Sequence, residues 1–358
     1  MRYIIAGGGT GGHIIPALNI AEELSRHDPE AQFLFLGTER GLERKIVPER
    51  GYDITMISAQ PWRGKSSLKN LWHSTGEVVR IIKKFAPHCG IGTGGYVSAP
   101  LATGTAIRRI PLFWQEQNTY PGMATKLASL FARRVFLGFE EAKPYLWRKK
   151  NALYTGNPVK FSAADISPEA ARKKFGLDPD RFTLFVTGGS QGAAPINEVV
   201  LEMLRQFELP EKAQLMWQCG EKEYPALAEI VDRMELPVAL MGFVRDMPAA
   251  YRASDLIICR AGALTLAEIA VAGVPAILIP YPFAAGDHQR KNARVFVQRG
   301  AAVMIDQNDL SPSLLYATIE ELMGAPRRLA QMRKNMLSLA KPDAAEVIAR
   351  EILRCLGK

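Results

Sequence analysis

A short apolar strand that breaks into glycines and restarts as a helix constrains this chain more than any other feature, and the chain carries such a break in each half. Tyr3-Ile4-Ile5-Ala6 runs into Gly7-Gly8-Gly9-Thr10-Gly11-Gly12, and Ile14 to Leu24 follows with apolar residues at helical spacing. Phe182-Thr183-Leu184-Phe185-Val186-Thr187 runs into Gly188-Gly189-Ser190-Gln191-Gly192. Strand-like runs alternating with helical stretches define βαβ units and a mostly parallel sheet. In the first half the cadence continues through Phe33-Leu34-Phe35-Leu36-Gly37, Cys89-Gly90-Ile91, Pro111-Leu112-Phe113-Trp114 and Arg134-Val135-Phe136-Leu137. In the second it continues through Leu215 to Cys219, Val238 to Met241, Leu256 to Cys259 and Ala276 to Ile279. At 358 residues the chain exceeds what one α/β core usually holds. The expected architecture is α/β with two doubly wound domains, 1–160 and 161–342, joined near Tyr154-Thr155-Gly156-Asn157-Pro158-Val159-Lys160, where Gly and Pro punctuate the chain. A last segment, 343–358, holds a helix from Ala344 to Leu356 with apolar Val347, Ile348, Ile352 and Leu353.

The formal net charge is +9, and it is unevenly placed. Residues 1–160 hold 22 basic and 12 acidic side chains, whereas the remainder holds 23 and 24. Such asymmetry points to an anionic partner for the first half, a nucleic acid or an acidic membrane surface. Residues 66–86, with Leu68, Leu71, Trp72, Val78, Val79, Ile82 and Phe85 beside Lys69, Arg80, Lys83 and Lys84, form an amphipathic helix suited to an anionic membrane. A core-facing helix with a solvated basic side explains the same pattern. Trp62, Arg63 and Lys65 stand just before it. No zinc finger, helix-turn-helix or aromatic-interleaved basic strand is present, so no nucleic-acid partner is expected. The four cysteines form no C-x-x-C pair, which fits a reducing cytoplasm. No apolar run approaches the length of a membrane span.

Three glycine clusters follow strands: Gly7–Gly12, Gly92–Gly95 and Gly188–Gly192. Glycine lets a ligand approach the backbone, and the helix that follows presents N–H groups and a positive dipole end to an anion. Tight strand–helix turns alone would explain any one of them. A dinucleotide fingerprint can be laid on Gly7–Gly12, but Leu36 is followed by Gly37-Thr38, with no acid for a ribose. The second half offers a better nucleotide site. Cys259-Arg260-Ala261-Gly262-Ala263-Leu264-Thr265-Leu266-Ala267-Glu268 is a strand end, a turn and a helix start. Glu268 can face a ribose diol or simply complement the helix dipole. Gln289 and Asn292, after Pro280-Tyr281-Pro282, can reach sugar hydroxyls or belong to a solvated helix start. His13 stands directly after the first glycine loop, where the helix dipole favours the neutral, basic ring; a capping or core histidine is the alternative. Glu116, at a strand end, is the other candidate acid or base. Asp178-Pro179-Asp180 matches a metal-binding D-x-D pattern but precedes its strand, so it is read as a turn. No clustered metal set, Walker loop or nucleophile elbow is present, and no metal or cofactor is expected.

Taken in order, Gly8-Gly9-Thr10-Gly11-Gly12-His13, Gly94-Gly95-Tyr96-Val97-Ser98, Glu116-Gln117-Asn118, Gly156-Asn157-Pro158-Val159, Gly188-Gly189-Ser190-Gln191-Gly192, Arg260 to Thr265 with Glu268, and Asp287-His288-Gln289 span nearly the whole chain. This ordered set resembles the MurG family of bacterial undecaprenyl-diphospho-muramoylpentapeptide β-N-acetylglucosaminyltransferases. The resemblance implies a GT-B fold, with two Rossmann-like domains facing an interdomain cleft and the last helix crossing back to the N-terminal one. It implies inverting transfer of N-acetylglucosamine from UDP-N-acetylglucosamine to the 4-hydroxyl of undecaprenyl-diphospho-N-acetylmuramoyl-pentapeptide, lipid I to lipid II, in peptidoglycan synthesis. One displacement and one general base would suffice, without metal. It further implies a peripheral enzyme on the cytoplasmic face of the anionic bacterial inner membrane. Carried over by motif, Thr10, Gly11, Gly12, Asn118, Lys160, Ser190, Val244, Ala263, Leu264, Thr265, Leu266, Ala267, Glu268 and Gln289 bind the donor. Glu268 takes the ribose, Gln289 the sugar, Ser190 and Leu264-Thr265 the diphosphate, and the Val244 backbone the uracil. His13 is the first candidate for the base or for contact with the acceptor diphosphate, and Glu116 the second. Two positions depart from the family. Lys160 stands where arginine is usual and loses the bidentate fork. Gln115 stands where many members carry histidine.

Rival readings are another GT-B lipid glycosyltransferase, a UDP-sugar epimerase, which would need no acceptor, and a non-catalytic nucleotide-sugar sensor.

Overall fold

The apolar runs become the strands of two parallel sheets in the computed structural model, which describes residues 1–9, 11–61, 66–160 and 166–358. Thr10 lies outside the described residues, as do Trp62, Arg63 and Lys65. The chain divides into two compact units, Met1–Lys160 with Lys341–Lys358, and Phe161–Ala340.

In the first unit the strands are β1 (Arg2–Ala6), β2 (Gln32–Gly37), β3 (Asp53–Met56), β4 (Cys89–Gly92), β5 (Leu112–Glu116), β6 (Arg134–Leu137) and β7 (Ala152–Tyr154). Among the described residues they form one parallel sheet in the order β3-β2-β1-β4-β5-β6-β7. The second unit has β8 (Phe182–Thr187), β9 (Ala213–Gln218), β10 (Val238–Met241), β11 (Leu256–Cys259), β12 (Ala276–Leu278) and β13 (Ala302–Met304), ordered β10-β9-β8-β11-β12-β13, again all parallel. Both orders reverse direction once, between β1 and β4 and between β8 and β11. In open sheets of this kind, ligands bind beyond the carboxyl ends of the strands at that reversal. The four strand ends concerned are followed by Gly7, Thr93, Gly188 and Arg260, so the glycine clusters read from the sequence stand at the two switch points.

Helices cover both faces of each sheet. Helix Gly11–His27 buries Ile14, Leu18, Ile20 and Leu24 against Tyr3, Ile5 and Phe35. Helix Ala344–Leu356 joins the same cluster through Ile348, Ala349, Ile352 and Leu353. Its outer edge is fixed by Glu351, which accepts from Arg134 Nε at 2.7 Å and from Arg354 Nη2 at 2.7 Å. Arg354 and Arg134 overcome the opposing effect of burial and hold the Glu351 carboxyl down from 4.5 to about 2. A depressed acid adds stability above its unfolded value, and that stability is lost as pH falls from about 4.5 toward about 2. Glu351→Gln should therefore lower Tm by a few degrees at about pH 7, and the gap from wild type should narrow below about pH 4.5 and close only near about pH 2. A gap independent of pH in thermal melts would mean that the pair contributes nothing.

Helix Ser66–Phe85 packs on helix Ser98–Arg108 and splits the apolar face seen in the sequence. Val78 and Ile82 are buried in the core, and Thr75 shares a 2.7 Å hydroxyl pair with Thr103. Leu68 and Trp72 remain outside, 55% and 70% exposed, on the same helix as exposed Lys69, Arg80, Lys83 and Lys84. The core-facing and surface readings thus apply to different residues of one helix. Among the described residues no helix is long and apolar enough to cross a membrane.

Candidate functional site

At the switch point of the first unit, three loops interlock. Gly11, Gly12 and His13 are the first three residues of helix Gly11–His27. The His13 carbonyl accepts Thr93 Oγ1–H at 2.7 Å, which ties the helix start to the end of β4. The imidazole lies against Gly94 and Gly95. A Cβ at Gly94 would stand 2.8 Å from His13 Cδ2, and one at Gly95 would stand 2.4 Å from the Gly8 carbonyl oxygen. Both glycines also have positive φ, +95° and +77°. Only residues without a side chain allow this approach. Ser98 closes the turn by donating to the carbonyls of Ala6 and Gly94, at 2.7 and 2.6 Å.

The end of β5 carries four polar residues in succession. Gln115, Glu116 and Gln117 are buried, and Asn118 is partly exposed. Gln117 donates to the Thr93 carbonyl at 2.7 Å and also bonds Gln115, which donates to Asn157 Oδ1 at 2.9 Å. Asn157 returns the chain of amides by donating to the Gln117 carbonyl at 3.0 Å. This network satisfies polar groups that would be costly to bury alone. It occupies Gln115 in holding β4, β5 and the segment after β7 together. The Glu116 carboxylate points inward too. One oxygen accepts the Asn118 N–H at 3.0 Å and its side-chain amide at 3.3 Å, and the other accepts from Thr125. Burial raises the Glu116 pKa above the usual carboxylate range. Lys160, at the end of this unit, is ion-paired with Glu22 at 2.6 Å.

The sequence reading passed over Glu43. It begins helix Glu43–Glu49 and is fully buried. Its oxygens accept the Gly9 N–H at 3.0 Å, the Thr38 N–H at 3.0 Å and the Thr38 hydroxyl at 3.1 Å. Thr38 in turn shares a 3.1 Å hydroxyl pair with Tyr96, from the second glycine motif. The acid missing from the end of β2 thus arrives one turn of chain later and grips the back of the first glycine loop.

In the second unit, Ser190 is exposed at the crest of the loop after β8. The loop rests on the end of β9: a Cβ at Gly192, φ +74°, would stand 2.0 Å from the Cys219 carbonyl oxygen. Across the reversal, helix Ala263–Ala272 starts at Gly262, which supplies no side-chain cap, and its first turn carries no acid. Such an end has N–H groups and a positive dipole directed past the strand ends. Ala263 and Leu266 face the core, while Leu264, Thr265, Ala267 and Glu268 are partly exposed. Glu268 Oε2 accepts the Tyr251 hydroxyl at 2.8 Å, and burial raises the Glu268 carboxyl above its usual value. Arg260 anchors the turn by donating to the carbonyls of Ile279 and Pro280 at 3.1 and 3.2 Å and to Gln307 at 2.6 Å. Gln289 is the second residue of helix His288–Gln298, and its side-chain Oε1 accepts the Tyr281 N–H at 2.9 Å. Asn292 is fully buried and donates to the Ala261 carbonyl at 3.4 Å, which braces the loop. Val244 is buried after β10, and its N–H donates to Gln218 Oε1 at 3.0 Å. Asp178-Pro179-Asp180 is a turn before β8, where Asp178 accepts the Asp180 N–H at 2.9 Å.

Two doubly wound parallel units with glycine loops at both switch points define the GT-B glycosyltransferase class. Residues 3–137 match the glycosyltransferase family 28 N-terminal domain and residues 183–348 the glycosyltransferase family 28 C-terminal domain. The chain belongs to glycosyltransferase family 28. It is 38% identical over 365 residues to a protein of Acetivibrio thermocellus named UDP-N-acetylglucosamine–N-acetylmuramyl-(pentapeptide) pyrophosphoryl-undecaprenol N-acetylglucosamine transferase, with 100% of this chain and 99% of the relative covered. A protein of the same name from Chlorobium phaeobacteroides is 40% identical over 365 residues, with 99% of each covered. The crystal structure of Acinetobacter baumannii MurG is similar with a TM-score of 0.81 and 28% identity, over 99% of both chains.

Proposed function

We propose that this enzyme transfers N-acetylglucosamine from UDP-N-acetylglucosamine to the 4-hydroxyl of undecaprenyl-diphospho-N-acetylmuramoyl-pentapeptide, with inversion. The observation that carries the reading is the contrast between the two switch points in a chain that matches its relatives end to end. One presents a histidine wedged against glycines. The other presents a helix start whose N-cap, Gly262, has no side chain, and a partly exposed carboxylate.

The second unit takes the donor. Ser190 and the Leu264-Thr265 backbone meet the diphosphate at the positive end of helix Ala263–Ala272. Glu268, oriented by Tyr251, accepts from the ribose hydroxyls. Gln289 meets the sugar through its amide nitrogen, its oxygen being held by Tyr281. The Val244 N–H is engaged by Gln218, so Val244 offers its carbonyl to the uracil. The first unit takes the acceptor, and Thr10, Gly11, Gly12 and Asn118 are its proposed sugar contacts. His13 accepts the proton of the attacking hydroxyl as UDP departs. Glu116 has both oxygens engaged within the fold and positions Asn118. Lys160 pairs with Glu22 and is a donor contact only if that pair opens.

The test is UDP release from UDP-N-acetylglucosamine with and without a muramoyl-pentapeptide lipid analogue. Acceptor-dependent release is expected. Donor consumption without acceptor would favour the epimerase reading, and donor binding without any turnover would favour a sensor.

The same reading has the enzyme held peripherally on the cytoplasmic face of the inner membrane, where it would meet a lipid-linked acceptor. Leu68 and Trp72 amid lysines and arginine fit an anionic surface. Changing both to serine should weaken binding to anionic vesicles by at least about tenfold with Tm unchanged. Undiminished vesicle binding would remove this face from the interaction.

A further inference from the structure

Gln218 closes β9, and only 2% of it is exposed. A buried amide is costly unless its groups are paired, and those of Gln218 are, to three partners in two segments of the second unit. Nε2 donates to Thr187 Oγ1 at 3.1 Å and to the Gly189 carbonyl at 2.9 Å. Oε1 accepts the Val244 N–H at 3.0 Å. The orientation of the amide is fixed by chemistry, because a backbone N–H can face only the oxygen. Thr187 Oγ1 also accepts the Gly189 N–H at 3.1 Å, so the Gly189 residue is held through both its N–H and its carbonyl. β8, β9 and β10 are neighbours in the sheet, with Gln218 beside Thr187 on one side and Met241 on the other. One side chain therefore bonds the loop after β8 and the chain after β10.

We propose that Gln218 is a positioning residue that locks the diphosphate loop and the nucleoside loop in one register, so that the site is preformed for a nucleoside diphosphate before it binds. The inference rests on assigning the donor to the second unit. With the loops already ordered, binding does not have to order them. Without Gln218 that cost returns to the binding step, and donor affinity falls. Turnover at saturating donor is spared, because Gln218 touches no reacting atom.

The test compares wild type with Gln218→Met, which keeps the bulk and removes the hydrogen bonds, and Gln218→Glu, which keeps an acceptor for Val244 but loses the amide donors. Donor Kd is measured by calorimetry with UDP-N-acetylglucosamine, kinetics with donor and lipid acceptor, and loop order by amide hydrogen exchange. For Gln218→Met, donor Kd and KM should rise about 10- to 100-fold. Its kcat and acceptor KM should stay within about threefold. Exchange should quicken at 187–192 and 242–247 in the free enzyme, and bound UDP-N-acetylglucosamine should restore it. Gln218→Glu should loosen 187–192 and spare 242–247, a pattern that remains readable if the methionine variant fails to fold. Unchanged donor Kd and exchange in a folded variant overturn the proposal. A wild-type enzyme that does not bind UDP-N-acetylglucosamine overturns the donor assignment instead.

Discussion

Replacing His13 with alanine should lower kcat about a hundred- to ten-thousand-fold, the range spanned by general base catalysis, while the Kd for UDP-N-acetylglucosamine stays within about twofold. The imidazole stands three residues into the helix that opens at the end of β1, and Gly94 and Gly95 form its wall. A side chain on Gly94 would collide with the ring, which is why the second glycine motif has to accompany the first. The scaffold should survive the change. Thr93 is bonded to the carbonyl of residue 13, not to its ring, and alanine keeps that bond. Donor affinity should survive because the donor contacts proposed here belong mainly to the second unit. Stopped or steady-state turnover with lipid acceptor, set beside calorimetric donor binding, separates the two. Wild-type kcat in the alanine variant would remove His13 from the mechanism, and a parallel loss of donor affinity would reassign it to donor binding.

How far this site could be read from sequence depends on the kind of residue. Glycine after a strand carries its meaning locally, so Gly7–Gly12, Gly92–Gly95 and Gly188–Gly192 could be placed at strand ends before any topology was known. The parallel order of the sheets then put the first and third beside the switch points and paired the first with the second. Helix Ser66–Phe85 was legible as a helix, but its pattern could not say that Val78 and Ile82 face the core while Leu68 and Trp72 do not. That division is set by the packing of helix Ser98–Arg108 and of Ile4, Ala6 and Leu36, far earlier in the chain. Glu43, Gln218 and Tyr251 were not legible as site residues at all. Each acts through a partner far along the chain: Gly9 for Glu43, Val244 and Gly189 for Gln218, and Glu268 for Tyr251. The faint signal was a polar residue where burial was expected, such as Gln218 closing the apolar run Leu215-Met216-Trp217. Asn292 shows the reverse case. Its motif suited a sugar contact or a solvated helix start, and the structure buries it with its amide on the Ala261 carbonyl.

Glu43→Ala should cost about 4 kcal/mol of stability, because it leaves buried donors of Gly9 and Thr38 without an acceptor. The more informative variant is Glu43→Gln, which keeps the volume. The carboxylate accepts on both oxygens, from the Thr38 N–H and hydroxyl on one and from the Gly9 N–H on the other. An amide has one accepting end, so one of those backbone N–H groups must face an N–H. There is no room to turn aside, since a Cβ at Gly8 or Gly41 would already stand 2.7 or 2.0 Å from the Glu43 carboxylate. If the oxygen stays with Thr38, the first glycine loop loses its anchor directly before Thr10-Gly11-Gly12-His13. Chemical denaturation should then show a loss of about 2 kcal/mol for Glu43→Gln, while kcat/KM for the lipid acceptor falls at least about a hundredfold and donor Kd, whose proposed contacts are mainly in the second unit, changes by far less. That separation of modest instability from large loss of acceptor turnover is what a loop anchor produces. A glutamine variant with wild-type acceptor kinetics would mean that the loop holds its shape without Glu43, and that its geometry comes from the Gly95–Gly8 contact alone.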